Sequence, residues 1–403
     1  MFLAEIIGVG DELLYGETVD TNTAEIAVSL QPYSVDVHRT LRVADHLETL
    51  TQEVRQAWNT ARLVVLSGGL GPTPDDITRE AIAAAMGEDL QTDLAVLDWL
   101  EKLFEARGWK MPEVNRKQAL KIPSARWIAN PRGTAPGWWI HQDDKDLVCL
   151  PGPPGEWRPM WAEVLPRLNL PAQPYKQVAL KTFGLGESRI VELLGDLFKR
   201  NGQAEVGTYA KMDGVVVVVR GEPGLVDQLS QRIRPLLGEA LWGQDSDTLP
   251  VLTLQILEAQ RATLATMESV TGGVLGALIT GVAGASRSYL GGLVPYHLST
   301  KSWLGLSEDL VTQHGLVSAA FAEAMAATAR AALNSTYALS TTGVAGPEEL
   351  EGQPVGTLYI GLAGPNNTSS RHYRLPGASR EMLRQRAAHA ALAFFVSELR
   401  GGM

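Results

Sequence analysis

The first 70 residues alternate between short apolar segments and longer amphipathic ones, and this rhythm most constrains the fold. Ala4–Gly10, Ser34–Val43 and Arg62–Ser67 have strand-like patterns, and the first and last read as buried strands. Thr21–Leu30 and Asp45–Thr60 predict helices, and the second begins with a capping residue. A strand–helix–strand alternation of this kind predicts a mostly parallel sheet with helices on both faces, which is a three-layer αβα domain.

The rest of the chain divides into two further domains. After a first domain of residues 1–170, the order of elements changes to βαββαβ, which predicts a ferredoxin-like or KH-like connector over residues 171–245. Its predicted elements are Tyr175–Phe183, Glu187–Arg200, Ala204–Ala210, Gly214–Arg220, Gly224–Leu237 and a short strand ending near Trp242. The polar run at 244–248 predicts a junction, after which residues 246–403 form another α/β domain.

Composition narrows the class of protein. The chain of 403 residues carries a net charge of −10, which argues against broad non-specific nucleic-acid binding. Its single cysteine, Cys149, excludes an internal disulfide framework and a cysteine-based zinc site. No apolar run is long enough to span a bilayer, and the first residues read as a core strand rather than a signal peptide. We therefore expect a cytoplasmic protein without a membrane partner.

A glycine-rich motif follows the third predicted strand, at residues 67–78 (S-G-G-L-G-P-T-P-D-D-I-T). Gly68, Gly69 and Gly71 predict a phosphate cradle, because backbone without side chains can approach an anion closely, and Thr73 is a further predicted phosphate-binding residue. Thr73 with the following proline and acid also fits the start of a helix, and an anion site and a capped helix are compatible. The adjacent acids of the motif would repel a phosphate, so they indicate a divalent metal ion between them.

This motif and its neighbours resemble the molybdopterin-binding fold, and in their longer form the N-terminal domain of the CinA proteins. The supporting matches occur in order, as G-D-E-L-L-Y-G (10–16), D-T-N (20–22), N-P-R-G-T-A-P-G (130–137) and L-P-G-P-P-G-E (150–156). The resemblance implies hydrolysis of ADP-ribose with a divalent metal. Asp76 is the first candidate, as metal ligand or as organiser of the loop. Further candidates for the same cluster, each of which could instead serve a turn or cap, are Asp11, Glu12, Asn22, Asp75 and Glu156.

A second motif, M-E-S-V-T-G-G, lies between a predicted strand at Thr263–Met267 and a predicted helix at Val274–Thr280. Ser269 therefore falls at a strand-to-helix turn. There it could cap the helix, or it could be a nucleophile beside unpaired backbone N–H groups. The N–H groups near Gly272 and Gly273 are the natural donors to an oxyanion.

Three hydroxyl-rich loops accompany Ser269, at residues 291–301, 314–318 and 341–347. Together they resemble the C-terminal domain of the CinA proteins, whose free-standing relatives are nicotinamide-nucleotide amidases, over about residues 252–399. The resemblance implies hydrolysis of nicotinamide mononucleotide to nicotinic acid mononucleotide and ammonia, without a cofactor. Ser269 would be the nucleophile, assisted by Lys301 and Tyr296. The remaining members of the oxyanion and substrate loops would be Thr271, Thr342, Gly343 and Gly346.

One position departs from the family pattern, since Val270 stands where relatives often carry cysteine. Because the preceding hydroxyl is kept, we interpret this as a change in packing. Lys301 and Tyr296 also have ordinary interpretations, as a solvated lysine and a packing aromatic residue. A lysine whose pKa is lowered by burial could instead accept the serine proton.

Together the two resemblances imply a bifunctional hydrolase of pyridine-nucleotide recycling whose ligands are nicotinamide mononucleotide and ADP-ribose. Two alternatives stay open, namely pterin binding by the first domain and a non-enzymatic role in competence or recombination. The connector lacks an evident basic G-x-x-G clamp, so nucleic-acid binding is not expected. The family resemblance implies a homodimer.

Overall fold

A computed structural model describes residues 2–171, 175–198, 204–377 and 379–400. The chain forms two compact units, Met1–Tyr175 and Lys176–Met403. Within the described residues, no helix has both the length and the apolar character needed to cross a membrane.

The first unit is built on a six-stranded sheet. The strands of this unit are β1 (Leu3–Val9), β2 (Asp36–Val43), β3 (Leu63–Ser67), β4 (Gln91–Thr92), β5 (Leu120–Lys121), β6 (Ala125–Ile128), β7 (Gly137–Gln142) and β8 (Lys145–Leu150). Strands β4 and β5 form a separate two-stranded sheet. Its helices are α1 (Asp11–Leu14), α2 (Asn22–Leu30), α3 (Leu47–Thr60), α4 (Thr78–Met86), α5 (Leu94–Glu105) and α6 (Pro154–Val164). The strand order is β2-β1-β3-β8-β7-β6; the first four strands are parallel, and β7 and β6 add antiparallel pairings.

Side chains alternate between two cores along the strands of this sheet. Ile7 of β1 packs with Leu50 and Val54 of α3 on one face, whereas Ile6 packs with Ile26 of α2 and Trp161 of α6 on the other. Since each face buries its own apolar set, helices must cover both. The predicted three-layer architecture is therefore confirmed.

Two predicted helix starts in this unit were wrong. Asp45 lies outside α3, whose N-cap is His46 with its Nδ1 accepting from the Thr49 N–H. The helix expected to begin at Thr73 begins at Thr78, five residues later. Both errors have the same origin, because Asp, Ser and Thr form tight turns as readily as helix caps.

The second unit contains two sheets. Its strands are β9 (Lys176–Thr182), β10 (Ala204–Lys211), β11 (Gly214–Gly221), β12 (Leu241–Gln244), β13 (Leu264–Glu268), β14 (Tyr289–Leu293), β15 (Tyr337–Gly343), β16 (Thr357–Ala363) and β17 (Thr368–Arg374). Its helices are α7 (Glu187–Leu194), α8 (Pro223–Leu237), α9 (Leu249–Ala259), α10 (Val274–Thr280), α11 (Leu298–Trp303), α12 (Glu308–His314), α13 (Ala319–Leu333) and α14 (Arg380–Arg400).

The predicted βαββαβ order of the connector is confirmed. Its antiparallel sheet runs β10-β11-β9-β12, and α7 and α8 pack on it through Ile190, Val226 and Ile233. Helix α7 is shorter than expected, since it ends at Leu194 and continues as a 3-10 turn over Gly195–Phe198. The last two residues of that predicted helix, 199 and 200, lie outside the described residues.

The final domain has a five-stranded sheet in the order β14-β13-β15-β16-β17, with its first three strands parallel. Helix α13 packs on one face through Phe321 and Met325, and α9, α10 and α14 cover the other face. Strand β13 extends one residue further than predicted and so includes Glu268. This extension matters because it places a buried carboxylate next to Ser269.

Candidate functional site

The carboxyl ends of three adjacent parallel strands meet beside Ser269. Strand β13 lies between β14 and β15, and Ser269 is the first residue after β13. Its N–H donates to the Thr341 carbonyl of β15 at 2.9 Å. The loop that carries Tyr296 and Lys301 follows β14 at the same end of the sheet. The segments after these three strands are thus brought to one edge by the parallel topology, where ligands of open α/β sheets bind. The 314–318 loop was expected to follow a strand as well, but it follows α12 and reaches this edge through the Leu316 carbonyl, which accepts from the Thr342 hydroxyl.

Glu268 organises the turn that contains Ser269, and sequence reasoning missed it. Only 1% of its surface is exposed. Its carboxylate accepts hydrogen bonds from the Thr271 hydroxyl at 2.7 Å and from the N–H groups of Gly273, Leu275 and Gly276 at 2.9, 3.0 and 2.8 Å. These bonds offset the cost of burying the carboxylate.

This arrangement corrects two expectations. The N-cap of α10 is Gly273, with no side-chain cap, so Ser269 does not cap the helix. The Gly273 N–H is not a free oxyanion donor, because it is bonded to Glu268. The Gly272 N–H makes no hydrogen bond to the described residues, and Gly272 has a φ of +57° that favours glycine. A glutamate directly before the serine was the sequence signal for this arrangement.

Lys301 is buried, in contrast to the alternative of a solvated lysine. It exposes 3% of its surface, and its Nζ donates to the Tyr296 carbonyl at 3.0 Å. It forms no ion pair with a described residue. Burial without a carboxylate partner lowers the pKa of Lys301, because desolvation penalises its charged form. Lys301 therefore combines burial with a lowered pKa at this end of the sheet.

Tyr296 contacts Lys301 through its backbone rather than its ring. Its side chain is 56% exposed, and its hydroxyl accepts a hydrogen bond from Arg380. The hydroxyl therefore holds an arginine and not the lysine, while the backbone carbonyl positions Lys301.

Two arginines on α14 tie the three loops together, and neither was identified from sequence. Arg380 donates to the Gly346 carbonyl at 2.7 Å as well as to Tyr296. Arg384, one helical turn later, donates to the Thr271 carbonyl at 3.2 and 2.9 Å and to the Gly272 carbonyl at 3.4 Å. The pair lies more than 80 residues from most of its partners along the chain, so no local pattern could reveal it.

The other residues predicted for this site make hydrogen bonds and packing contacts within the domain. The Thr271 and Thr341 hydroxyls bond each other at 2.7 Å in the core. The Thr342 hydroxyl donates to the Leu316 carbonyl at 2.6 Å. Gly343 packs against β16, where a Cβ would lie 2.5 Å from the Thr357 oxygen. These contacts position the loops from beneath.

In the first unit, the glycine-rich motif forms one wall of a cleft of about 410 Å³. Gly68 requires a φ of +115°, and a Cβ there would lie 2.1 Å from the Val9 oxygen. Gly69 has a φ of +64°, and a Cβ would lie 2.3 Å from the Thr78 hydroxyl. Close packing therefore demands glycine at both predicted cradle positions. Gly71 lines the same cleft.

Asp76 organises this loop. Its Oδ2 accepts from the N–H and hydroxyl of Thr73 at 2.8 and 2.6 Å, and a Cβ on Gly71 would lie 2.3 Å from the same oxygen. Asp76 was expected to be either a metal ligand or an organiser of the loop, and these contacts are those of an organiser. The buried Arg79 supports the loop from below, since it donates to the Leu70 carbonyl at 2.8 Å.

Carboxylates also line this cleft, and they include Asp45, which sequence analysis had assigned to a helix start. Asp11 and Asp45 exchange backbone-to-carboxylate hydrogen bonds at 3.0 and 3.2 Å. Burial, followed by the charges of Asp11, Glu12 and Asp75, raises the pKa of Asp45. The acids therefore repel one another across the cleft.

Two further predicted residues also border this region. Asn22 donates to the Ser67 hydroxyl at 2.9 Å and to the Gly152 carbonyl at 2.7 Å. The Glu156 carboxylate lines the cleft and accepts from Asn130 at 2.7 Å. A second cavity of about 320 Å³, which adjoins the first through shared lining residues, contains Asn22. Asn22 thus helps to hold two loops together.

A divalent metal ion in this cleft stays a prediction. Among the residues that the structure describes, no three His, Cys, Asp or Glu side chains form a group that could hold a metal ion. Carboxylate oxygens are nonetheless the ligands that Mg²⁺ shares with substrate phosphates, using one or two carboxylates. The carboxylates that line this cleft, Glu12, Asp45, Asp75, Asp76 and Glu156, have this donor chemistry.

Three family descriptions match successive parts of the chain. Residues 5–170 match a probable molybdopterin binding domain, residues 177–243 match the KH domain of damage-inducible protein CinA, and residues 247–399 match the CinA C-terminal domain.

Similar proteins extend over almost the whole chain. A CinA-like protein of Deinococcus deserti is 41% identical and covers 98% of this chain and 97% of its own length. A putative competence-damage inducible protein of Caldicellulosiruptor saccharolyticus is 37% identical with 97% coverage of each chain. A crystal structure of the protein CinA with unknown function from Thermoplasma acidophilum is 37% identical, covers 41% of this chain and 98% of its own, and has a TM-score of 0.39. With its three domains matched in order and full-length relatives above 30% identity, this chain belongs to the CinA family.

Proposed function

We propose that the final domain hydrolyses the carboxamide of nicotinamide mononucleotide, with Ser269 as the nucleophile. The observation that carries this proposal is the buried Lys301, an amine with no carboxylate partner among the described residues, at the same sheet edge as Ser269. A lysine with a lowered pKa is a suitable general base for a serine hydroxyl. The choice of substrate rests on the resemblance to nicotinamide-nucleotide amidases.

The reaction proceeds in two steps, formation of an ester with Ser269 and its hydrolysis by water. Ser269 Oγ attacks the amide carbon while its proton passes to the neutral Lys301 Nζ, and the Gly272 N–H faces the developing oxyanion. The C–N bond then breaks, and the leaving nitrogen takes the proton from Lys301 and departs as ammonia. Water attacks the resulting ester, again losing its proton to Lys301, and releases the nicotinic acid product and the free serine.

Ammonia release from nicotinamide mononucleotide tests this proposal directly. We expect turnover by the wild-type chain and a loss of at least about 1,000-fold in Ser269→Ala, since nucleophile removal leaves only binding and oxyanion stabilisation. Ser302→Ala is the matched control, because Ser302 lies on α11 and bonds only to Leu298 and Glu308. Full activity in Ser269→Ala would refute the assignment of the nucleophile.

We propose that the first unit hydrolyses ADP-ribose with the help of a divalent metal ion. The cleft of about 410 Å³ and its neighbour of about 320 Å³ together suit a ligand larger than a mononucleotide. Glycine-rich backbone in the cleft suits a pyrophosphate, and one or two of the lining carboxylates Glu12, Asp45 and Asp75 would hold the cation together with the substrate phosphates. When bound, such an ion supplies charge neutralisation and polarisation of a phosphoryl oxygen.

Two measurements test the second activity. The first is formation of AMP and ribose phosphate from ADP-ribose with and without Mn²⁺; Asp75→Asn should lower it and leave ammonia release intact. The second is the melting temperature with Mn²⁺ and ADP-ribose together, which should exceed that with either alone because the ligand and ion share the site. Metal-independent binding of a pterin, with no ADP-ribose turnover, would instead favour the pterin alternative.

A further inference from the structure

A third cavity, of about 470 Å³, lies within the second unit between the connector sheet and the final domain. None of its lining residues belongs to the loops of Ser269, Tyr296 or Thr341. Its volume is within the range of about 300–1,000 Å³ that is typical of small-molecule sites. It is therefore a candidate site that is separate from both proposed reactions.

One wall of this cavity is aromatic. The rings of Phe183 and Tyr373 pack edge to face, with centroids 5.6 Å apart and an interplanar angle of 82°. The chain turns away from Phe183 at Gly184, which has a φ of +85° and whose Cβ position lies 3.9 Å from the Tyr373 ring. A planar ring can stack against such a wall.

The rest of the lining carries an excess of positive charge. Lys211, Arg374 and Arg386 come from three different elements and meet at the cavity, against a single acid, Glu187. This excess stands out in a chain whose net charge is −10.

None of these cations is neutralised by a described carboxylate. The Lys211 amine has no hydrogen-bond or ion-pair partner among the described residues. Arg374 donates to the Thr357 hydroxyl at 3.3 Å, and Arg386 donates to the Pro376 carbonyl. Three cations left without counter-charges around an apolar cavity favour an anionic ligand, and arginine is well suited to phosphate.

We propose that this cavity binds a nucleotide, with its base against Phe183 and Tyr373 and its phosphate among Lys211, Arg374 and Arg386. A cavity of about 470 Å³ suits one nucleotide rather than a strand of nucleic acid, which would need an extended basic groove. A ligand here would be an effector of the protein and not a substrate in its reacting position.

The test is calorimetric titration of the full chain with AMP. We expect Lys211→Glu and Arg374→Glu each to weaken one binding event by at least about 10-fold, which corresponds to loss of one charge-assisted contact. Arg232→Glu is the matched control, since Arg232 is an exposed cation on α8 outside the cavity. It should leave AMP binding unchanged. AMP binding at the glycine-rich cleft should be the same in all these variants, so it does not affect the comparison between them. Failure of the proposed hydrolase activities would not affect the result either.

Four outcomes would overturn the proposal. AMP affinity that is unchanged in both Lys211→Glu and Arg374→Glu would show that the cavity is not used. An equal loss in Arg232→Glu would show a long-range charge effect only. Inorganic phosphate binding as tightly as AMP, or a short oligo-dA binding more tightly and losing that affinity in Lys211→Glu, would replace a nucleotide with a simple anion or a nucleic acid.

Discussion

The carboxylate of Glu268 accepts the backbone N–H of Gly273 at 2.9 Å, so a buried acid terminates the turn that carries Ser269. The same carboxylate also accepts from Thr271, Leu275 and Gly276. The shape of the turn that carries Ser269 therefore depends on the side chain of the last residue of β13.

Glu268→Gln should destabilise the second unit by about 2 kcal/mol, because an amide has one oxygen where the carboxylate has two and places an NH₂ group against N–H donors. Urea denaturation measures this change. Glu323→Gln is the control, since Glu323 bonds only the Ser370 hydroxyl, at 2.6 Å; its cost should stay below about 1 kcal/mol. Equal costs would contradict the organising role of Glu268.

The pH dependence of ammonia release should reflect Lys301. The proposed base acts when neutral, so kcat/KM should rise as pH increases through a pKa below the ordinary lysine value. Lys301→Met should remove this limb and lower kcat/KM by at least about 100-fold. A profile that falls with rising pH in this range would contradict the assignment.

Lys301 should also influence stability. Because its pKa is lowered in the folded state, the unfolded chain binds more protons between the folded and unfolded pKa values. Unfolding free energy should therefore rise with pH through that window, and Lys301→Met should flatten the rise. Lys211→Met, at an exposed lysine, should keep the wild-type slope. The measurement is a series of urea midpoints over alkaline pH.

Arg384 should matter for turnover through the position of the Thr271–Gly272 backbone. Arg384→Ala removes its bonds to both carbonyls and should lower kcat/KM about 10- to 100-fold, equivalent to about 1.5–3 kcal/mol. Arg330→Ala is the matched control, because the Arg330 side chain also donates to a backbone carbonyl, that of Thr336, at the opposite end of β15. It should affect stability and leave kcat/KM near the wild-type value.

In the first unit, Gly71→Ala should disrupt the glycine-rich loop. A Cβ at this position would lie 2.3 Å from Asp76 Oδ2, so Asp76 must give up its bonds to Thr73. ADP-ribose turnover should fall at least about 10-fold, the effect of losing a charge-assisted hydrogen bond. Gly155→Ala has open space around its Cβ and should have little effect. Retained turnover in Gly71→Ala would show that this loop does not hold the substrate.

Asp45→Asn should raise the melting temperature of the first unit at neutral pH. The raised pKa of Asp45 means that stability is lost as pH rises from its ordinary pKa to the raised value, and asparagine avoids that loss. The same change should shrink the stabilisation by Mn²⁺, because one neutralising carboxylate is gone. A lower melting temperature without metal would contradict the repulsion seen around Asp45.

Local sequence determined the elements and their order in this protein. The periodicity of short apolar segments determines which faces are buried, so the three-layer first domain and the βαββαβ connector could be predicted from it. The glycines at positions 68 and 69 were also predictable, since backbone conformations with positive φ exclude most other residues. Where Asp, Ser or Thr could serve either a cap or a turn, as at Asp45, Thr73 and Ser269, local pattern could not choose.

Only the tertiary structure decided which side chains hold the candidate sites together. Arg384 and the carbonyl of Thr271 are 113 residues apart in the chain, and Asp11 and Asp45 are 34 apart. Burial of Lys301 likewise depends on elements that are distant in sequence. Hydrogen bonds and desolvation act through space, so the charge state of a lysine or an aspartate follows from neighbours that the fold assembles, whereas helix and strand formation depends mostly on residues a few positions away.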